Sequence, residues 1–288
     1  MGFAAWDIDR ILTFGALPAD ASLLQGAFDV EAIRIALGGR EYIEAEIAGV
    51  KAQCWVGGCD EGFRQDMTNL YPMLPFGGNL GVRPPFAFPT DDVIAVSRDL
   101  TRLTAMVEAG AGSGRSLRDD NQWMALARAL TDARWGALAQ VMFVTPLDLQ
   151  VPINRMPARM ADQVSALGDL PTYEAAALAD YDAGAEQVHL IAAVYADADL
   201  ATAAADELAA RLAAFNPSAL YEEIGVTLDQ PLVIPFDGGA VAIAALRYPY
   251  AAVEGADFEL AAQPGAFYRR WIQSIYQRRF LPLLLSFE

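Results

Sequence analysis

The hydrophobic pattern predicts a strand followed directly by an amphipathic helix near residue 100. The apolar run from Asp92 to Ser97 has the length and the β-branched content of a buried strand. In the segment from Arg98 to Glu108, apolar residues recur at the spacing of one helix face, namely Leu100, Leu103 and Val107. Asp99 stands at the expected N-cap, where a carboxylate accepts hydrogen bonds from the first free helix amides.

A second strand and helix follow the same order later in the chain. The apolar run from Gln187 to Tyr195 leads into a segment from Asp197 to Phe215. The buried face of that predicted helix carries Leu200, Leu208 and Leu212. Asn216-Pro217 then ends the helix, because proline cannot donate the next backbone hydrogen bond.

Weaker patterns predict the remaining elements. Further strands are expected at residues 23–28, 138–144, 223–228 and 240–246. Further helices are expected at residues 30–37, 119–131, 158–167 and 265–280. The segment from Ser116 to Asp119 resembles a capping box at the start of the second of these helices.

Local likenesses between the two halves indicate an internal duplication. Met73–Gly78 resembles Val233–Gly239, since each carries Pro-Phe and a glycine pair after an apolar run, as in a strand that ends in a turn. Prolines punctuate residues 146–172, where a boundary would fall. We therefore predict an α+β fold of two related mixed α/β halves, residues 1–150 and 151–288, each a sheet packed against helices. One mixed domain with accidental likeness is the alternative.

Composition narrows the possible partners. In 288 residues, 54% are hydrophobic, so a substantial core is expected. The net charge of -17 repels phosphate backbones and anionic headgroups, which argues against nucleic-acid binding. No run of the sequence approaches the length of a transmembrane helix, since the longest candidate, Phe280–Phe287, is short and contains proline.

Residues that commonly perform chemistry are scarce. The chain holds one histidine, His189, and one lysine, Lys51, which does not lie in a P-loop motif. His189 lies in an apolar strand, which favours a structural role over that of a general base. We predict no catalytic residues, no metal site and no cofactor. Acidic pairs leave a carboxylate-dependent hydrolase, with its site between the halves, as an alternative.

The two cysteines are separated by a loop that contains two glycines, Cys54-Trp-Val-Gly-Gly-Cys59. Such a loop can bring the sulfur atoms of Cys54 and Cys59 together, so a disulfide is expected, with two reduced structural thiols as the alternative. A disulfide would place the protein outside the reducing cytosol.

The segment from Tyr71 to Thr90 is rich in proline and aromatic residues, and it predicts a rigid loop without regular structure. Its candidate contacts for a ligand or partner are Tyr71, Phe76, Arg83, Phe86 and Phe88. A loop folded over the core with its aromatic rings inside is the competing interpretation.

A basic and aromatic cluster lies on the last predicted helix of this otherwise acidic chain. Arg270 and Trp271 are its candidate contacts for a partner or an acidic ligand. Internal salt bridges to acidic residues are the alternative interpretation.

Four short motifs resemble a group of bacterial extracytoplasmic, lipoprotein-like α/β proteins of unknown function. They are Leu17–Ala21, Gly26–Val30, Val93–Ser97 and Ser116–Ala125, and they cover the first half of the chain. The resemblance implies an exported or lipid-anchored precursor whose leader is absent from this chain. It implies no catalytic residues.

These patterns together predict an exported cell-envelope protein, in the periplasm or at the cell surface. It would act by binding a small-molecule ligand or a protein partner, without chemistry. A structural subunit of an envelope assembly is a further alternative.

Overall fold

The computed structural model describes residues 2–3, 7–14, 21–68, 70, 81–114, 116–152, 155–156, 158–215, 226–249, 266–277 and 279–287. The chain forms two compact units, Met1–Ser116 and Leu117–Glu288. The boundary between them therefore lies earlier in the chain than the division after residue 150 that the sequence predicted.

The first unit is built on a six-stranded antiparallel sheet. The strands are β1 (Ile8–Phe14), β2 (Ala21–Gly26), β3 (Tyr42–Ile47), β4 (Val50–Trp55), β5 (Phe86–Thr90) and β6 (Val93–Ser97). Their order across the sheet is β1-β2-β6-β5-β4-β3. The expectation that residues 71–90 lack regular structure is wrong for β5, which accommodates Pro89 at an irregularity in its pairing with β6.

Two helices cover opposite faces of this sheet. Helix α1 (Val30–Gly38) is capped by Asp29. Helix α2 (Leu100–Gly110) is capped by Asp99, and this cap was predicted. Because side chains alternate along a strand, Phe86, Phe88, Ile94 and Val96 pack towards α1, whereas Ala87 and Ala95 pack towards α2.

The second unit contains a second antiparallel sheet. Its strands are β7 (Ala137–Val144), β9 (Ala175–Asp182), β10 (Glu186–Tyr195), β11 (Thr227–Leu228), β12 (Leu232–Phe236) and β13 (Gly239–Pro249). Their order is β7-β9-β10-β13, and β11 and β12 both pair with the outer side of β13. A short parallel pair joins β8 (Gln150–Pro152) to β14 (Leu285–Phe287). The predicted strand that ends in a turn at residues 233–239 is confirmed by β12, whereas residues 73–78 lie outside the described part.

Helices cover both faces of the second sheet. Its helices are α3 (Asn121–Leu130), α4 (Pro146–Leu149), α5 (Ala158–Ser165), α6 (Ala198–Phe215) and α7 (Ala266–Tyr276). Helices α6 and α7 pack on one face, and α3 packs on the other. The central strands β9, β10 and β13 are therefore buried on both sides, and their many alanines allow the helices to approach closely.

The α+β fold class is confirmed by these two antiparallel sheets with their helices. The predicted duplication stays a prediction. The two units share one order of connections. In each, the chain forms a hairpin, passes through a helix to a distant strand and then returns to a strand that pairs beside the hairpin. The helix packing differs, however, since α1 and α2 lie on opposite faces while α6 and α7 share one.

Candidate functional site

The aromatic residues predicted as contacts near β5 lie in the core of the first unit. Phe86 is 1% exposed and packs edge-to-face on Tyr42, with ring centroids 5.8 Å apart. Phe88 and Arg83 are also buried. Tyr71 and Phe76 lie outside the described residues. The structure therefore supports the competing interpretation for Phe86 and Phe88, because a ring buried in the core cannot contact a partner.

Trp271, predicted as a surface contact, is also buried. It lies on α7 and faces the sheet, where its ring packs against His189 at a centroid distance of 5.1 Å. Arg270 lies on the same helix, and its side chain falls outside the described part. Trp271, the aromatic candidate of the predicted basic and aromatic cluster, is therefore part of the core.

The predicted disulfide between Cys54 and Cys59 is confirmed. It joins the end of β4 to a short 3-10 helix, Cys59–Phe63. Large apolar side chains are exposed along the chain after β4, namely Val56, Phe63, Met67 and Leu70.

A row of polar side chains crosses four strands of the second sheet. Asp180 on β9 and His189 on β10 are direct cross-strand partners, and His189 Nε2 lies 3.1 Å from Asp180 Oδ1. From β7, Gln140 donates its side-chain amide to Asp180 Oδ2 at 2.9 Å. The carboxylate therefore has a partner for each oxygen, as a buried charge requires.

The row continues on the other side of His189. The Tyr248 hydroxyl on β13 lies 2.6 Å from His189 Nε2, and it donates to the side-chain carbonyl of Gln187, its cross-strand partner. If Nε2 carries the proton, this single N–H is shared between Asp180 Oδ1 and the Tyr248 oxygen, which both accept.

Four members of this polar row, Asp180, Gln187, His189 and Tyr248, are buried in the second unit, whereas Gln140 at its β7 end is exposed. His189 is 1% exposed, and the rings of Tyr268 and Trp271 on α7 pack over it. Burial raises the pKa of the Tyr268 hydroxyl, and the nearby Asp180 charge raises it further. An imidazole beside a carboxylate can act as a general base when a substrate can reach it. Aromatic rings cover the imidazole of His189, which fits the structural role expected for this residue.

A cleft of about 440 Å³ lies elsewhere in the second unit. Its polar lining comes from Gln150, Asp169, Thr172 and Arg211, and its apolar lining comes from Leu170, Leu284 and Leu285. These residues lie on β8, on the segment before β9, on α6 and at the C-terminal end of the chain. The volume is in the range of small-molecule sites, about 300–1,000 Å³.

Protein partners hold the guanidinium of Arg211 in place at the cleft. The side chain is 3% exposed, and Nε donates to Glu207 Oε1 at 2.6 Å. Nη1 donates to the Leu284 carbonyl at 2.9 Å, and Nη2 donates to the Gly168 carbonyl at 2.6 Å. Three of its five N–H groups are thereby used, which leaves two donors for other groups.

Sequence reasoning missed this cleft, although one signal was present. On α6, Arg211 follows Leu208 and precedes Leu212, both fully buried, so a charge occupies the apolar face of the helix. A buried charge needs partners, and their identity depends on segments far away in the sequence.

Near Arg211, the buried Tyr195 hydroxyl has no hydrogen-bond partner among the described residues. Burial raises the pKa of this phenol, and the Arg211 charge partly opposes that effect.

Within the described residues, no three or more His, Cys, Asp or Glu side chains are grouped so that they could hold a metal ion. Several carboxylates cap helices instead: Asp29, Asp99, Asp120 and Asp197 accept backbone amides at helix starts. For α3 the cap is Asp120, and the predicted capping box at 116–119 forms a 3-10 turn before it. Among the described helices, none has the length and apolar content needed to span a lipid bilayer.

Comparisons with family models, with curated proteins and with solved structures found no match for this chain.

Proposed function

We propose that this protein is an exported cell-envelope protein that binds a small polar ligand in the cleft beside Arg211. The observation that carries the proposal is the cleft itself. It joins a buried, rigidly held guanidinium to three further polar side chains and an apolar wall in a volume suited to a small molecule.

The fixed position of Arg211 favours binding. Its bonds to the Gly168 and Leu284 carbonyls join two segments of the cleft wall to α6. A site whose donors are already ordered loses less conformational entropy when a ligand arrives.

The disulfide supports export. A bond between Cys54 and Cys59 forms and persists in oxidising compartments, such as the periplasm or the cell surface. The lipoprotein-like resemblance of the first half agrees with this location, and a lipid anchor on the precursor would tether the protein to the envelope.

Ligand-observed NMR with the full chain and a panel of small polar metabolites tests the binding site. Thr172 is exposed and lines the cleft, so Thr172→Trp should fill it and weaken binding at least about tenfold. Thr101→Trp, at an exposed position on α2, is the matched control and should leave binding unchanged. Equal binding by both variants, or no binding at all, would refute the proposal.

Fractionation of cells that produce the native precursor tests the location. The protein should be recovered with periplasmic or surface material, with Cys54 and Cys59 oxidised. Recovery from the cytosol with two free thiols would refute export and leave the binding proposal to the NMR experiment.

A further inference from the structure

We infer that the cleft beside Arg211 takes an uncharged ligand rich in hydroxyl groups, of the size of a small sugar or polyol. This inference rests on the binding function proposed above and adds the chemical class of the ligand. It follows from the charge balance of the lining and from the mixture of donors and acceptors.

The lining does not favour an anion. The Arg211 charge is balanced by Glu207, which is 2.6 Å away and itself largely buried. A second carboxylate, Asp169, lines the cleft directly. Around these groups the whole chain carries a net charge of -17, so an anionic ligand would meet repulsion at long range and no net positive charge at the site.

The lining does not favour a compact cation either. Asp169 is the only carboxylate that lines the cleft among the described residues, and the guanidinium of Arg211 lines it as well. A metal ion needs several oxygen or nitrogen ligands. Here the cleft supplies one carboxylate, and the positive charge of Arg211 offsets its negative charge.

Hydroxyl groups match what the cleft offers. Gln150 and Thr172 can each donate and accept, Asp169 accepts, and Arg211 retains two N–H donors. A sugar hydroxyl also donates and accepts, so these donors and acceptors of the cleft can satisfy the hydroxyl groups of a sugar. The C–H faces of the same ligand would pack on the apolar wall of Leu170, Leu284 and Leu285.

Calorimetric titration of the full chain separates the ligand classes. The probes are neutral mono- and disaccharides, a set of zwitterionic amino acids, and inorganic phosphate, each at low and high salt. We expect a sugar to bind with an affinity that salt leaves unchanged, because screening acts only on charged partners. Asp169→Asn should weaken that binding about tenfold through loss of a charge-assisted hydrogen bond, and Thr172→Trp should abolish it.

The outcomes distinguish this inference from the binding function on which it rests. Binding of phosphate or amino acids alone, lost in Thr172→Trp, would overturn the ligand class and leave the binding function standing. Sugar binding that Thr172→Trp leaves intact would place the ligand elsewhere and overturn both, and so would the absence of binding by every probe.

Discussion

His189 and Asp180 face each other across neighbouring antiparallel strands, with Nε2 3.1 Å from Oδ1, in a sheet that is buried on both faces. The only histidine of the chain is thus paired with a carboxylate inside the core. A buried pair of this kind adds little net stability when it is complete, but losing one partner leaves the other without compensation.

We therefore expect His189→Ala to lower the free energy of unfolding by about 3–5 kcal/mol, since it removes the partner of Asp180 Oδ1 and leaves only Gln140 bonded to this buried carboxylate. The double variant Asp180→Ala/His189→Ala should cost less than the sum of the single variants, with a coupling of about 1–3 kcal/mol. Urea unfolding measures both values. Glu61→Ala, which breaks the exposed pair with Arg64, is the control and should cost less than about 1 kcal/mol. Strict additivity of the two buried substitutions would contradict the pairing.

Removing the hydroxyl group should affect stability differently at two buried tyrosines, Tyr195 and Tyr173. The Tyr195 hydroxyl has no partner among the described residues, so Tyr195→Phe should leave stability unchanged or raise it by up to about 1 kcal/mol. The Tyr173 hydroxyl donates to the Leu283 carbonyl at 3.0 Å, so Tyr173→Phe should lower stability by about 1 kcal/mol. Thermal and urea unfolding of both variants provide the comparison. A clear loss of stability in Tyr195→Phe would show that this hydroxyl has a partner.

Aromatic residues of the first unit differ sharply in burial. Phe86→Ala should lower the free energy of unfolding by about 3–5 kcal/mol, because it empties a core position. Phe63, which is 48% exposed, is the matched control, and Phe63→Ala should change stability by no more than about 0.5 kcal/mol. Differential scanning calorimetry measures both. A small effect of Phe86→Ala on stability would instead support the surface contact that the sequence predicted for this ring.

The disulfide closes a short loop, which limits its contribution to stability. We expect Cys54→Ser/Cys59→Ser to lower the free energy of unfolding by about 2 kcal/mol through the added freedom of the unfolded chain. Thiol titration of the denatured, unreduced wild-type protein should find no free sulfhydryl. Detection of two free thiols would contradict both the bond and the export that it supports.

Patterns local in sequence predicted the helices well. The helix after Asp99 has the predicted cap and buries Leu103 and Val107, because capping and periodicity involve residues within a few positions of each other. The strand that contains His189 was predicted for the same reason, since an uninterrupted apolar run, residues 190–195, lies within it.

Strands with mixed composition were harder to predict. Proline and aromatic residues near β5 suggested an irregular loop, yet Phe86 to Thr90 pair with β6. Tertiary pairing overrides local propensity there, since a strand edge supplies hydrogen bonds that no local pattern encodes.

The sites were not predictable from the sequence. His189 and Tyr248 are 59 residues apart in the chain, and Arg211 bonds to Leu284, which is 73 residues away. Nothing in the local sequence of either residue specifies such a partner, because strand register and helix docking create the contact.

The amino-acid order alone established an acidic chain with few groups suited to chemistry and predicted an α+β fold, a disulfide and capped helices, since each depends on composition or on near neighbours. The tertiary structure alone determines which polar residues are buried and which line the cleft. Both depend on how segments distant in the sequence pack against each other. That packing also supplies the hydrogen-bond partners that a buried polar side chain needs.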